Sequence, residues 1–330
     1  MKVLLTGADG FLGINLIHEL INRNYPVRAF LQPQRHIPYI DNLKIEKCYG
    51  NILNYSDTES AIQGCDAVIH TAACTDIWPA KSEKVREVNI TGTENIINAV
   101  IGFKIKRLIY IGTANTFNYG TKEKPGDESA NNYMAVNYGV DYITSKSLAH
   151  KMILEAVKQR SLPALIVNPT FMLGPYDSKP GSGAMIRAVY KKKIPGYTMG
   201  GRNFIYVKDV AHGIVNALTQ GRIGESYILG NENLTYQEIF KKIASVVKVN
   251  PPGIRIPDFL MKVYGLLGSI KGFITGNQPT LSYPMACISC DRHFYSSDKA
   301  VKELQLPHTD IDIAIHESFL WLKENGYLDN

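Results

Sequence analysis

Short apolar runs alternate with longer stretches of helical periodicity along most of this chain. Runs at 2–6, 26–31, 44–48, 67–70, 107–112, 164–168 and 226–229 have the length and composition of buried strands. The intervening pattern predicts helices near 12–23, 57–63, 84–102, 137–160, 208–219, 235–248 and 310–325. Such alternation predicts an α/β fold: a doubly wound parallel sheet with helices on both faces, joined by right-handed crossovers. Ligands of such sheets bind beyond the carboxyl ends of the strands, where the strand order reverses. The loop after residue 6, Gln32, Asn51, the stretch His70–Ala73 and the stretch Gly112–Thr116 all fall on those ends. A Pro/Gly-rich loop, Asn168–Gly183, marks a change of character. The expected division is a Rossmann-type domain over 1–170, with returns near 204–230, and a smaller, interleaved substrate lobe over most of 171–330.

The loop after the first strand reads Gly7-Ala8-Asp9-Gly10-Phe11-Leu12-Gly13. Glycines allow a tight turn, a close approach to a pyrophosphate and close packing of a helix on the sheet. The helix that follows offers unpaired N–H groups and a positive dipole end. Gly7, Gly10, Phe11, Leu12 and Gly13 are therefore candidate dinucleotide ligands, although glycines also make turns that bind nothing.

Composition narrows the field. The 330 residues carry a net charge of +6, which suits an anionic cofactor or substrate. The one basic run, Lys191-Lys192-Lys193, reads as a solvated helix end, so nucleic-acid binding is not expected. Cys287 and Cys290 form a lone CxxC with His293 nearby, and without a second pair a metal site is not expected. Five free thiols in a reducing cytoplasm are the simpler reading. Met1-Lys2 leads straight into the first strand, so no signal peptide is expected. The stretch Phe259–Ile274 is apolar but interrupted by Lys262, Gly265, Gly268, Lys271 and Gly272. It is too short to span a bilayer and predicts an amphipathic lid or packing helix, with lipid contact left open.

Tyr142 and Lys146 are four apart in a helical stretch and share a face. A second such pair, Tyr295 and Lys299, lies beside a polar Ser296-Ser297-Asp298 that reads as a helix cap. A phenol is a poor base at neutral pH. An ammonium about 4 Å away would favour the phenolate by roughly 4 kcal/mol, near three pKa units as a ceiling. That brings Tyr142 toward the range of a general acid/base for carbonyl reduction. Thr113, at the end of the fifth strand, could hold the substrate oxygen.

These motifs together resemble the extended short-chain dehydrogenases/reductases of the NAD-dependent epimerase/dehydratase family. The resemblance rests on GxxGxxG (Gly7, Gly10, Gly13), YxxxK (Tyr142, Lys146) and the hydroxyl of Thr113, in family order. It extends through His70-Thr71-Ala72-Ala73, Asn89-Ile90-Thr91-Gly92-Thr93, Asn168-Pro169-Thr170 and Phe204–Ala211. The resemblance implies a proton relay through Asn89 and a cofactor lined by Ile52, Ala72, Ala73, Asn168 and Thr170. Val27-Arg28-Ala29-Phe30 and Asn168–Pro175 are most similar to dihydroflavonol reductases, cinnamoyl-CoA reductases and 3β-hydroxysteroid dehydrogenases. The family also implies dimerisation through helices like 84–102 and 137–160. Dehydratases would carry Asp-Glu after the hydroxyl residue, where Ala114-Asn115 stand.

The end of strand two carries Gln32 with Arg35 beyond it, and no acidic residue before Asp41. A carboxylate there would favour NAD, whereas Arg35 could pair with a 2′-phosphate, so NADP is the expected preference over NAD. Asn51 is placed near the adenine. Trp78, Tyr138, Phe171, Met185 and Tyr206, with Met134 and Met172, fall where a substrate pocket is expected and suit an apolar or aromatic carbonyl compound. The leading expectation is a cytoplasmic NAD(P)-dependent reductase of a ketone or aldehyde. Two alternatives stand beside it: a nucleotide-sugar 4-epimerase with tightly held NAD, and a non-catalytic cofactor-binding regulator.

Overall fold

The computed structural model describes residues 1–33, 37–129, 138–179 and 181–329. Strands β1 (Val3–Thr6), β2 (Val27–Leu31), β3 (Glu46–Tyr49), β4 (Ala67–His70), β5 (Arg107–Ile111) and β6 (Ala164–Pro169) come first. Between them lie helices α1 (Phe11–Asn22), α2 (Tyr55–Ile62), α3 (Glu83–Gly102) and α4 (Asp141–Arg160). Next come β7 (Phe171–Leu173), α5 (Gly183–Tyr190), β8 (Gly196–Tyr197), β9 (Gly201–Tyr206) and α6 (Val207–Asn216). They are followed by β10 (Ser226–Leu229), β11 (Glu232–Thr235), α7 (Tyr236–Val247) and β12 (Ile254–Arg255). The last stretch holds α8 (Asp258–Thr275), α9 (Tyr283–Cys290), β13 (Arg292–His293), α10 (Asp298–Leu304) and α11 (Ile311–Glu324).

Seven parallel strands form the central sheet in the order β10-β6-β5-β4-β1-β2-β3. These are the seven apolar runs of the sequence. Period-two alternation sorts their side chains between two cores. Val3, Leu5, Ile69, Ile109 and Val167 join one apolar cluster with α1, α6, α7 and α11. Leu4, Val68, Leu108, Tyr110 and Ile166 join the other, against α2, α3 and α4. Strand order reverses between β1 and β4, which opens a crevice at their carboxyl ends. β10 arrives from the second half of the chain and closes the sheet edge beside β6.

A smaller sheet pairs β9 with β7, β11 and β13. Its short strands did not stand out as separate apolar runs. The helix expected over 137–160 begins at Asp141, whose carboxylate accepts from the Ser82 N–H at 2.9 Å and pairs with Lys81 at 3.1 Å. Arg35 and Met134 lie outside the described residues.

The turn from β1 into α1 is set by backbone approach. Gly7 has φ +65°, and the Gly10 N–H donates to the Gly7 carbonyl at 3.1 Å. A Cβ on Gly13 would lie 2.2 Å from that carbonyl oxygen and 2.8 Å from the Ala8 Cα. Only backbone atoms stand in the way, so relief requires α1 to move off the sheet. Gly13→Ala should therefore destabilise the chain by about 2 kcal/mol or more, read as a lowered urea midpoint. An unchanged midpoint would contradict this packing.

Candidate active site

A cleft of about 890 Å³ runs across the carboxyl ends of the sheet. At one end it is lined by Gly7, the α1 start Gly10–Gly13, Leu31, Gln32 and Ile52. In the middle stand Thr71–Ala73, Gly112–Asn115, Tyr142 and Lys146. The far end is walled by Tyr119, Tyr138, Phe171, Met285, Ile288 and His293.

The floor at the strand reversal is a directed hydrogen-bond chain. The Thr93 hydroxyl donates to the Asn89 carbonyl at 2.7 Å, which leaves its oxygen to accept from His70 Nε2 at 3.3 Å. That tautomer leaves His70 Nδ1 to accept from the Thr6 hydroxyl at 2.8 Å, while Thr6 Oγ1 accepts from the Ala72 N–H at 3.2 Å. Burial drives the His70 pKa down to about 3, with Lys146 adding repulsion, so the imidazole stays neutral. The Thr71 hydroxyl donates to the Thr6 carbonyl at 2.6 Å and ties the loop after β4 to β1.

Lys146 is 4% exposed. Its ammonium donates to the Ile111 carbonyl at the end of β5 and lies 4.6 Å from the centroid of the Tyr110 ring. Burial alone lowers its pKa to about 7. Tyr142, one helical turn earlier on α4, is raised by burial, with Thr113 and then the charge of Arg202 acting against the rise. This corrects the sequence expectation of a phenol made acidic by its lysine. Desolvation acts on both groups and favours both neutral forms, so the chain by itself holds Tyr142 as a proton donor at neutral pH. The Thr113 oxygen accepts from the Asn115 N–H at 3.3 Å, which leaves its own proton to give. Gly112 precedes it because a Cβ there would lie 2.1 Å from Asn168 Oδ1.

Gly7, Gly10, Phe11, Leu12, Gly13, Gln32, Ile52, Ala72, Ala73, Thr113, Tyr138, Tyr142, Lys146, Thr170 and Phe171 all line the cleft. Six expected residues do not. Asn168 is buried in β6 behind Gly112, donating to the Tyr227 carbonyl at 3.4 Å. Asn51 is exposed and closes its own turn, accepting from the Leu53 N–H at 3.0 Å. The Asn89 side chain clamps Cys74 N and O at 2.8 and 3.0 Å and donates to Ser145 at 2.9 Å, so its amide positions the loop after β4. Trp78 packs on Phe273 of α8, ring centroids 4.8 Å apart, beside a separate hollow of about 90 Å³. Met185 packs on the larger core. Tyr206 turns away to donate to Glu317 on α11. Tyr138 reaches the cleft from ahead of α4 rather than by helical periodicity, held by its hydrogen bond to Asp291. The second Tyr–Lys pair is split: Tyr295 lines the cleft, while Lys299 Nζ donates to Glu225 at 2.7 Å.

The model of the NAD dependent epimerase/dehydratase family matches residues 3–230. The chain belongs to this family. A protein of Synechocystis sp. provisionally named dihydroflavonol 4-reductase is 30% identical over 98% of this chain and 95% of its own length. Sterol demethylase protein B of Methylococcus capsulatus is 27% identical over 99% of this chain and 100% of its own. The crystal structure of gox2253 superposes with a TM-score of 0.86 at 29% identity, covering 98% of each chain. The chain is thus an NAD(P)-dependent oxidoreductase of the extended short-chain dehydrogenase/reductase type.

The family's nicotinamide cofactor fits the residues present. Among the described residues no side chain caps the start of α1, so its first-turn N–H groups face the cleft beside Gly7, Gly10 and Gly13, which carry no Cβ. Gly7 and Gly10–Gly13 would hold the phosphates, Ile52 and Ala72 would wall the adenosine half, and Lys146 and Thr170 would flank the nicotinamide half. When bound, that group supplies or accepts a hydride.

Sequence reasoning anticipated Tyr138 and Phe171 in the far wall but not Tyr119, Met285, Ile288 or Arg202. Arg202 lies 5.2 Å from the Phe171 ring centroid, with its Nε donating to the Tyr236 hydroxyl at 3.0 Å. His293 packs at a tilt against Tyr119 with ring centroids 4.6 Å apart and is kept neutral by burial, near pKa 3. In the sequence His293 stands out only beside Cys287 and Cys290, where no metal is expected, and nothing there marks it as a cleft wall.

The buried lysine carries a pH signature. Its pKa of about 7 in the fold lies below the ordinary 10.5. Between those values the unfolded chain holds a proton that the folded chain lacks, so this group makes stability rise with pH. From pH 7 to 10 the natural chain should gain about 2–5 kcal/mol relative to Lys146→Met, read from urea midpoints. A difference that stays flat with pH would contradict the burial of an ionisable group here.

Proposed function

We propose that the chain reduces a hydrophobic or aromatic ketone or aldehyde to the alcohol, with NADP(H) preferred over NAD(H). The observation that carries this reading is a neutral Tyr142 phenol beside the Thr113 hydroxyl in a cleft walled by Phe171, Met285 and Ile288. Thr113 would hold the carbonyl oxygen, and Tyr142 would protonate it as hydride reaches the carbon. Lys146, one helical turn along α4 and with a pKa near neutrality, would in its protonated form return a proton to the phenol. A nucleotide diphosphate calls for clustered positive charge. Arg202 is the single arginine lining the cleft among the described residues, with Arg187 on α5 and Arg255 on β12 away from it, which favours the reductase over the 4-epimerase reading. Preference for NADP rests on Gln32, which lines the cleft at the end of β2 where a carboxylate would repel a 2′-phosphate.

A panel of apolar ketones and aldehydes, followed by loss of NADPH absorbance, should give turnover that Tyr142→Phe lowers about a hundredfold with cofactor affinity unchanged. Turnover retained in that variant would refute the assignment. No substrate consumed, with NAD surviving purification in the protein, would turn the reading to the epimerase. Gln32→Asp should move the NADPH/NADH preference about tenfold toward NADH; an unmoved ratio would remove Gln32 as the selector.

A further inference from the structure

Helix α8 has its apolar side on the wrong face for a packing helix. Its buried residues are small: Gly265, Ser269 and Gly272. They lock it onto α9 and the Trp78 segment. A Cβ on Gly265 would meet Ala286 at 2.5 Å, the Tyr283 N–H donates to Ser269 Oγ at 2.8 Å, and a Cβ on Gly272 would meet Trp78 at 2.8 Å. The large side chains point outward. Phe259 is 72% exposed and Ile274 80%, and Leu260, Tyr264, Leu267 and Phe273 are also more than half exposed. At about 100° per residue, these and Val263, Leu266 and Ile270 cover an arc of roughly 180° along a helix of about 27 Å. Monomeric surfaces seldom leave such a patch unused.

Charge placement indicates what covers it. Within α8 the two lysines fall at the two borders of the apolar arc, Lys262 on one side and Lys271 on the other. No Asp or Glu occurs between Asp258 and Asp291. A protein groove takes a narrower stripe; an apolar arc of this width, bordered by lysines, matches a helix lying in a bilayer interface, with ammonium heads at the level of anionic headgroups. No helix among the described residues is long and apolar enough to cross a membrane.

The patch also connects to the cleft. Phe273 packs on Trp78, Trp78 lines the small hollow beneath α8, and Ile77 and Met285 line both that hollow and the cleft. An apolar seam therefore runs from the exposed face of α8 to the substrate end of the cleft.

We propose that α8 docks this protein on anionic lipid bilayers, with the substrate end of the cleft turned toward the lipid. The docking stands apart from which carbonyl compound is reduced, and its test needs no substrate. The full chain should co-float with vesicles of phosphatidylcholine holding about one-third phosphatidylserine, and more weakly with phosphatidylcholine alone. A combined Phe259→Gln, Leu267→Gln and Ile274→Gln variant, altering only exposed side chains, should lose vesicle affinity tenfold or more while keeping its unfolding midpoint. Lys262→Glu with Lys271→Glu should abolish the preference for anionic vesicles. A natural chain that stays with the soluble fraction, or a triple variant that floats equally well, overturns the proposal. A solution dimer of the natural chain that the triple variant dissociates, without vesicle binding, overturns it in favour of a second copy on this face.

Discussion

Placing a lysine ammonium out of water, one helical turn from a buried tyrosine, is the constraint around which this cleft is organised. Lys146 finds two partners that soften the loss of hydration: the Ile111 carbonyl at the end of β5 and the face of Tyr110. Both are fixed by the sheet, because β5 alternates Leu108 and Tyr110 toward one core and Ile109 and Ile111 toward the other. Among the described residues no carboxylate neutralises the charge, so burial moves the proton equilibrium to near neutrality. A group that gains or loses a proton readily at pH 7 is what a proton donor needs in the same site. The arrangement is a cost to folding that makes chemical sense only at a site where protons move.

The rest of the site follows from holding that geometry still. The His70 chain pins the loop after β4 to β1, so the floor of the crevice does not part where the strand order reverses. Asn168 occupies the space where a side chain on residue 112 would stand, so β5 passes into Thr113 without a Cβ at Gly112. The backbone thereby presents the Thr113 hydroxyl to Tyr142. Across the cleft, the far wall comes from β13, α9 and the stretch around Tyr119, elements distant in sequence that meet only in the fold.

What the sequence made legible was whatever is local. The glycine turn, the seven apolar runs and the Tyr142–Lys146 spacing each lie within a few residues, and their carboxyl-end positions follow from the topology of a parallel sheet. Residues whose role depends on a distant partner were misread. Tyr206 belongs to Glu317, Met185 to the larger core, and Trp78 to the underside of α8. The electrostatic expectation failed for a related reason: spacing shows that an ammonium is near a phenol but not that both are dry. Desolvation reverses the sign of the argument for Tyr142. Phe259–Ile274 was legible as a helix, yet its orientation was not, because glycines that interrupt an apolar stretch also mark the face that packs.

The account rests on Lys146 losing most of its hydration in the folded chain, and NMR titration of protein carrying ¹³Cε-labelled lysine reads this directly, with Lys146→Met assigning the resonance. One lysine signal, absent from that variant, should titrate near pH 7. If the signal lost in the variant instead titrates near the ordinary 10.5 of a lysine, the ammonium is solvated, and the desolvated site inferred for this cleft is wrong.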